Sequence, residues 1–145
     1  MQYDPVKRQL GSVFNRAPVM RRLFYGLLDL LMLRAWHVHK ELKAWARSTR
    51  QAKGSSPIKI YDAGAGYGQY SYWLSGRLPQ ARITALDVKE EQVADCNGFF
   101  QAIGRPQVKF QVGDVTKYQQ PDSFDLVVCI DVMEHILEDE AALRR

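Results

Sequence analysis

The stretch Ile58 to Trp73, I-K-I-Y-D-A-G-A-G-Y-G-Q-Y-S-Y-W, decides how this 145-residue chain folds. A short apolar strand runs into an acid, Asp62, and then into three alternating glycines, Gly64, Gly66 and Gly68. Glycine is needed where a backbone bends sharply or comes within van der Waals reach of a ligand, because a Cβ blocks both. The pattern predicts a strand-to-helix turn that cradles a cofactor.

Downstream of this turn, strand and helix signals alternate. They give strands over Ile58 to Tyr61, Ile83 to Leu86, Val108 to Val112 and Phe124 to Ile130, with helices from about Tyr67 to Arg77, from about Glu90 to Ile103, and from about Met133 onward. This is the βαβ rhythm of an α/β domain built on a parallel sheet. The run F-D-L-V-V-C-I over Phe124 to Ile130 is nearly all apolar and reads as a central strand buried on both faces. Upstream, Leu23, Leu27, Leu30, Leu31, Trp36, Val38, Leu42 and Trp45 recur at mostly helical intervals between Pro18 and about Arg50, giving one long or two shorter amphipathic helices. The run Ala52-Lys53-Gly54-Ser55-Ser56-Pro57 breaks that pattern. We therefore expect a helical extension or lid over residues 1–53 and an α/β domain over residues 57–145.

Composition narrows the class. A chain of this length that is 46% hydrophobic can bury one core. Cys96 and Cys129 have no metal-like spacing and imply a reducing, cytoplasmic setting. The apolar patch Leu23 to Leu33 is too short, and too interrupted by Asp29, to span a bilayer. Residues 1–53 hold eleven Lys or Arg against three acids, a balance of 11 − 3 = +8, while the remainder holds nine against thirteen, 9 − 13 = −4. The positive charge thus belongs to the helical extension. It fits an anionic membrane or a nucleic acid as partner, or a lid whose charges are simply solvated.

Each predicted strand finishes in or beside an aspartate: Asp62, Asp87, Asp114 and Asp131. In a parallel sheet these ends share one edge, and open α/β sheets bind ligands there. A single such acid is commonly a helix cap, but four in register with a glycine turn describe a site. A phosphate-binding loop would bring Lys or Arg, yet none lies between Asp62 and Arg77. Dinucleotide fingerprints space glycines as G-x-G-x-x-G, whereas this turn is G-x-G-x-G behind an acid, which disfavours a nucleotide-dependent oxidoreductase. Asp62 would repel a pyrophosphate and suit a cationic amino group. Asp87, 87 − 64 = 23 residues after the first glycine, is spaced to accept hydrogen bonds from ribose hydroxyls. An adenosine-bearing cation without phosphates is the ligand these features describe together.

These motifs resemble those of the class I S-adenosylmethionine-dependent methyltransferases. The family's acid-x-G-x-G-x-G motif matches I-Y-D-A-G-A-G-Y-G, its ribose acid matches Asp87 in A-L-D-V, and its adenine-side acid matches Asp114 in G-D-V. The segment F-D-L-V-V-C-I-D-V-M-E-H-I resembles the fourth strand and following helix of quinone-biosynthesis O-methyltransferases. The resemblance covers roughly residues 57 to 143. It implies a Rossmann-like sheet ordered 3-2-1-4, with strands five to seven missing, so that the chain is expected to be the cofactor half of a longer methyltransferase. It implies S-adenosyl-L-methionine as cofactor and a small or lipid-like methyl acceptor. By the same resemblance Asp62, Gly64 and Gly66 would hold the methionine portion, Asp87 the ribose and Asp114 the adenine, with Ala65, Tyr67, Gly68, Val88, Val115 and Ile130 as further contacts. The nearby Tyr70, Tyr72 and Trp73 read as core residues at helical spacing. A non-catalytic binding or scaffolding protein is the alternative from another functional class.

Displacement at an activated methyl needs mainly positioning in a dry pocket. An oxygen acceptor also benefits from a general base or a metal. Asp131, Glu134 and His135, at i, i+3 and i+4, share one face if a helix begins near Asp131. They are the candidate catalytic group, with His135 as base. The resemblance also offers them as divalent-metal ligands, but two carboxylates and one imidazole without a fourth ligand are a weak signature, so the metal is left unassigned. In the bland reading, Asp131 caps the helix and Glu134 and His135 merely pack under the substrate lid.

Overall fold

A computed structural model describes residues 18–31, 33–118 and 123–132. The chain divides into two compact units, Met1–Thr49 and Arg50–Arg145. The first contains helix α1, Pro18–Leu31, and most of helix α2, Leu33–Lys53. Of the one or two helices expected, two form. Pro18 opens α1 at a position where its missing N–H is no loss. Within this unit Phe24, Tyr25, Ala35, Leu42 and Ala46 are buried, and buried Arg21 donates from Nε to the Tyr25 hydroxyl at 3.0 Å. Helix α2 runs through Ala52 and Lys53, where the sequence suggests a break, and stops at Gly54. There a left-handed glycine (φ 57°) lets the Gly54 N–H reach the Arg50 carbonyl at 3.0 Å.

The second unit carries strands β1 (Ile58–Ala63), β2 (Ala81–Asp87), β3 (Val108–Val112) and β4 (Leu126–Cys129), with helices α3 (Gln69–Arg77) and α4 (Glu90–Ala102) between the first three. All pairings are parallel and the order is β3-β2-β1-β4, as the family resemblance implies. Ala63 aligns with Leu86 and with Cys129, and Asp87 aligns with Val112, so the carboxyl ends of the strands lie along one edge.

Alternation along the strands sorts the core. Ile58, Ile60, Ile83, Val108 and Phe110 are buried, as are Leu74 and Leu78 at α3 and Val93, Cys96, Phe99 and Phe100 on α4. On the alternate positions Tyr61, Ala63 and Leu86 form a second cluster with Val115, Tyr118, Phe124 and Cys129. Several strand boundaries differ from the reading of the sequence, the start of β2 at Ala81 among them. β1 and β2 extend to Ala63 and Asp87, because the acids themselves pair in the sheet. β4 is not a central strand buried on both sides: it is shorter, only Val128 is buried, and Val127 is 58% exposed. Among the described residues β4 pairs with β1 alone, which leaves one flank open. The opposite edge is covered differently, since the Asn97 amide on α4 both donates to the Phe110 carbonyl (3.0 Å) and accepts from the Phe110 N–H (2.9 Å).

Candidate functional site

The glycine turn is built by its neighbours. The Ala65 N–H donates to the Leu86 carbonyl at 2.9 Å, fastening the turn to the end of β2. Gly68 closes it with a bond from its N–H to the Ala65 carbonyl at 2.9 Å and adopts φ 79° as the N-cap of α3. A Cβ there would lie 2.7 Å from the Phe110 ring, and one on Gly64 would lie 2.2 Å from Val132 Cγ2. Gly66 is different. It is also left-handed, at φ 55°, but a Cβ on it meets only Gln92 Nε2 at 3.9 Å. Gly64 and Gly68 are therefore glycines for packing, and Gly66 is the one of the three where a Cβ would meet only an ordinary van der Waals neighbour.

The strand-end acids take four distinct environments. Asp87 Oδ2 accepts the Gly66 N–H at 2.9 Å and Oδ1 accepts the Lys89 N–H at 3.0 Å, while its backbone carbonyl accepts the Gly113 N–H at 2.9 Å. The half-buried carboxylate joins the β1 turn to the β2–α4 loop, and the backbone carbonyl of the same residue ties in the end of β3. Asp62 is buried and its Oδ2 accepts the Ser71 hydroxyl at 2.6 Å. Ser71 is itself wholly buried in the first turn of α3, so Asp62 supplies from the strand the acceptor that the cap residue, a glycine, lacks. Burial pushes the Asp62 carboxyl up to about 6, against the opposing pull of the Ser71 hydrogen bonds. Asp114 folds back on its own turn: Oδ1 accepts from the Thr116 N–H (2.9 Å) and hydroxyl (2.7 Å), which hold its carboxyl below the usual range. Asp131 is exposed and left-handed, with φ 59°, just before Val132 reaches Gly64.

The structure thus brings Asp62, Asp87 and the Gly64–Gly68 turn together, with Val132 beside them. Tyr67 is half-buried in the turn, Val88 is 60% exposed, Val115 joins the Tyr61 cluster, and Ile130 is half-buried. Tyr72 packs by its ring on Phe99 and beneath the Arg105 guanidinium. Glu134 and His135, and the helix expected from Met133, lie outside the described residues. Sequence reasoning missed Ser71 as the partner of Asp62 and Cys96, whose buried thiol donates to the Gly66 carbonyl at 3.6 Å. A side-chainless cap at Gly68 was the available signal for the first.

A parallel sheet ordered β3-β2-β1-β4 with a glycine turn after β1 and an acid ending β2 defines the nucleoside-binding half of a class I methyltransferase fold. The chain belongs to the methyltransferase-domain family, whose model matches residues 60–145. It is similar to a tRNA1(Val) (adenine(37)-N6)-methyltransferase of Vibrio parahaemolyticus, 32% identical over 89 residues that make up 61% of this chain and 35% of that protein. A ubiquinone biosynthesis O-methyltransferase of Idiomarina loihiensis is 30% identical over 88 residues, 59% of this chain and 35% of the relative. Among solved structures, the N-terminal domain of EvdMO1 with SAH bound is 25% identical with a TM-score of 0.57, over 70% of this chain and 42% of that one. Coclaurine N-methyltransferase bound to N-methylheliamine and SAH shares the fold, with a TM-score of 0.57 at 19% identity, over 70% of this chain and 30% of that one. The chain spans 24% to 35% of the length of the curated relatives it matches.

Proposed function

We propose that this chain binds S-adenosylmethionine at the carboxyl edge of its sheet and serves methyl transfer to a small or lipid-like acceptor. The observation that carries this reading is the Asp87 carboxylate bonded to the Gly66 amide at 2.9 Å, at a left-handed glycine where a Cβ would meet only the end of the Gln92 side chain, at 3.9 Å. Each carboxylate oxygen keeps lone pairs beyond the backbone bond it already accepts, so Asp87 can receive ribose hydroxyls while holding the turn. Asp114, half-exposed and kept ionised, accepts from Thr116 through Oδ1 and pairs with Lys117 at 3.8 Å through Oδ2, whose remaining lone pair is left for a ligand on the adenine side. Asp62 lies beneath the turn rather than on its surface, and acts on a cationic ligand through its charge.

The cofactor supplies an already activated methyl group, so the chain's own task is to hold and orient. Where the acceptor is an oxygen, His135 takes its proton, with Glu134 and Asp131 on the same stretch of sequence. Calorimetry with S-adenosylhomocysteine tests the cofactor assignment. We expect saturable binding that Asp87→Ala weakens by roughly ten- to a hundredfold, the scale of a charged hydrogen bond. A folded protein that ignores S-adenosylhomocysteine and binds a nicotinamide dinucleotide instead would overturn it. For catalysis, His135→Ala should lower the turnover of an oxygen acceptor by about a hundredfold or more while leaving cofactor affinity in place.

A further inference from the structure

Helix α1 has two apolar sides and packs only one of them. At 3.6 residues per turn, Arg21, Phe24 and Tyr25 fall on the buried side. Val19, Leu23, Leu27 and Leu30 fall together on another, exposed by 65%, 62%, 43% and 69%. On α2, Trp36 is 58% exposed, and Lys40, Lys43 and Arg47 continue from it at i+4, i+7 and i+11 as a solvent-facing row. The Trp36 indole N–H donates to the Asp29 carbonyl at 2.5 Å, fixing the ring beside the last turn of α1. A contiguous aliphatic row next to an aromatic ring and a row of cations marks an interaction surface.

We propose that this face docks on an anionic phospholipid surface, with α1 lying in the plane of the interface. The aliphatic row would enter the boundary between headgroups and acyl chains, Trp36 would sit at the headgroup level, and the lysines and arginine would meet lipid phosphates. The local balance of 11 − 3 = +8 over residues 1–53 complements such a surface. A nucleic acid would use the cations but leave four exposed aliphatic side chains without a role. Among the described residues no helix is long and apolar enough to cross a membrane, so the contact is peripheral. The inference rests on the exposed face alone and is independent of the cofactor reading.

Flotation of the full chain with vesicles tests it. We expect binding to vesicles of equimolar phosphatidylcholine and phosphatidylserine at least about tenfold stronger than to phosphatidylcholine alone. Leu23→Gln with Leu27→Gln should weaken that binding by roughly tenfold or more, with helix content by circular dichroism unchanged. Lys40→Glu with Lys43→Glu should abolish the preference for the anionic vesicles. Should the leucine pair fail to fold, Val19→Gln with Leu30→Gln provides the same readout from the ends of the row. The proposal is overturned if the chain ignores both vesicles. It is equally overturned if binding survives the leucine substitutions and only charge matters, with an oligonucleotide bound in place of lipid. It also fails if the leucine pair destabilises a chain that never floats, which would show the row to be covered by another part of the same chain.

Discussion

Gly66 and Gly68 share a left-handed backbone and have different surroundings, a Cβ meeting the Gln92 side chain at 3.9 Å at one and the Phe110 ring at 2.7 Å at the other. Gly66→Ala should therefore cost only about 1–2 kcal/mol of stability from its backbone conformation, while adding a methyl to the turn and lowering S-adenosylhomocysteine affinity at least about tenfold. Gly68→Ala adds overpacking to the same strain and should cost roughly 3 kcal/mol or more in urea denaturation. Equal stability losses at the two positions would refute the division between packing and ligand glycine. Asp62 makes a second prediction, through pH. Its carboxyl is raised in the folded chain from the ordinary 3.8 to about 6, so the folded state binds its proton more tightly than the unfolded state does. The stability this contributes is full below the lower value and is lost as pH rises through the upper one. Relative to the wild type, Asp62→Asn should gain on the order of 2 kcal/mol between about pH 4 and about pH 7, measured by urea midpoints at each pH. A difference that stays flat, or that runs the other way, would remove Asp62 from its buried role. The acid and glycines of this turn were legible from residue type. Their division of labour was not, because it depends on Phe110 and Val132, distant in sequence.

The elements followed from pattern where local and global demands agree. Apolar runs placed the four strands and helix signals placed α1 to α4, while the helix expected from Met133 lies outside the described residues. The difference comes at β4, where a nearly all-apolar run reads as burial on both faces. Val127 is exposed on the face opposite buried Val128, and apolar sequence cannot report which faces of a strand are covered. Tyr61, in the central strand β1, carries the element-scale prediction. Its ring stacks on Tyr118 and Phe124, at 4.9 and 5.2 Å between centroids, while its buried hydroxyl has no hydrogen-bond partner among the described residues. Tyr61→Phe keeps both stacks and removes an unsatisfied group, so it should raise stability by about 1 kcal/mol. A lowered melting temperature would mean that the hydroxyl has a partner and that the cluster is organised around it.

At the scale of the molecule, the two units differ in charge as well as in structure: the helical one carries the excess of cations, and the sheet carries the strand-end acids. The units separate at Thr49, inside α2 and ahead of the Ala52–Pro57 run that breaks the helical pattern of the sequence. The cause lies in the last turn of that helix. Arg50 donates to the Arg77 carbonyl, and Lys53 pairs at 2.5 Å with Asp125, whose other oxygen accepts the Lys59 N–H, so these residues share contacts with β1 and the start of β4. Such ties across solvent-exposed side chains are invisible to periodicity. Every residue of the glycine turn and the acids Asp62, Asp87 and Asp114 also belong to the second unit. If the cofactor site is complete there, a chain beginning at Arg50 should bind S-adenosylhomocysteine within about threefold of the full chain, a change of less than 1 kcal/mol, while losing all association with anionic vesicles. A folded shortened chain that lost cofactor affinity by more than about tenfold would show instead that the helices form part of the cofactor pocket. The lid expected from the sequence would then displace the separate-surface reading.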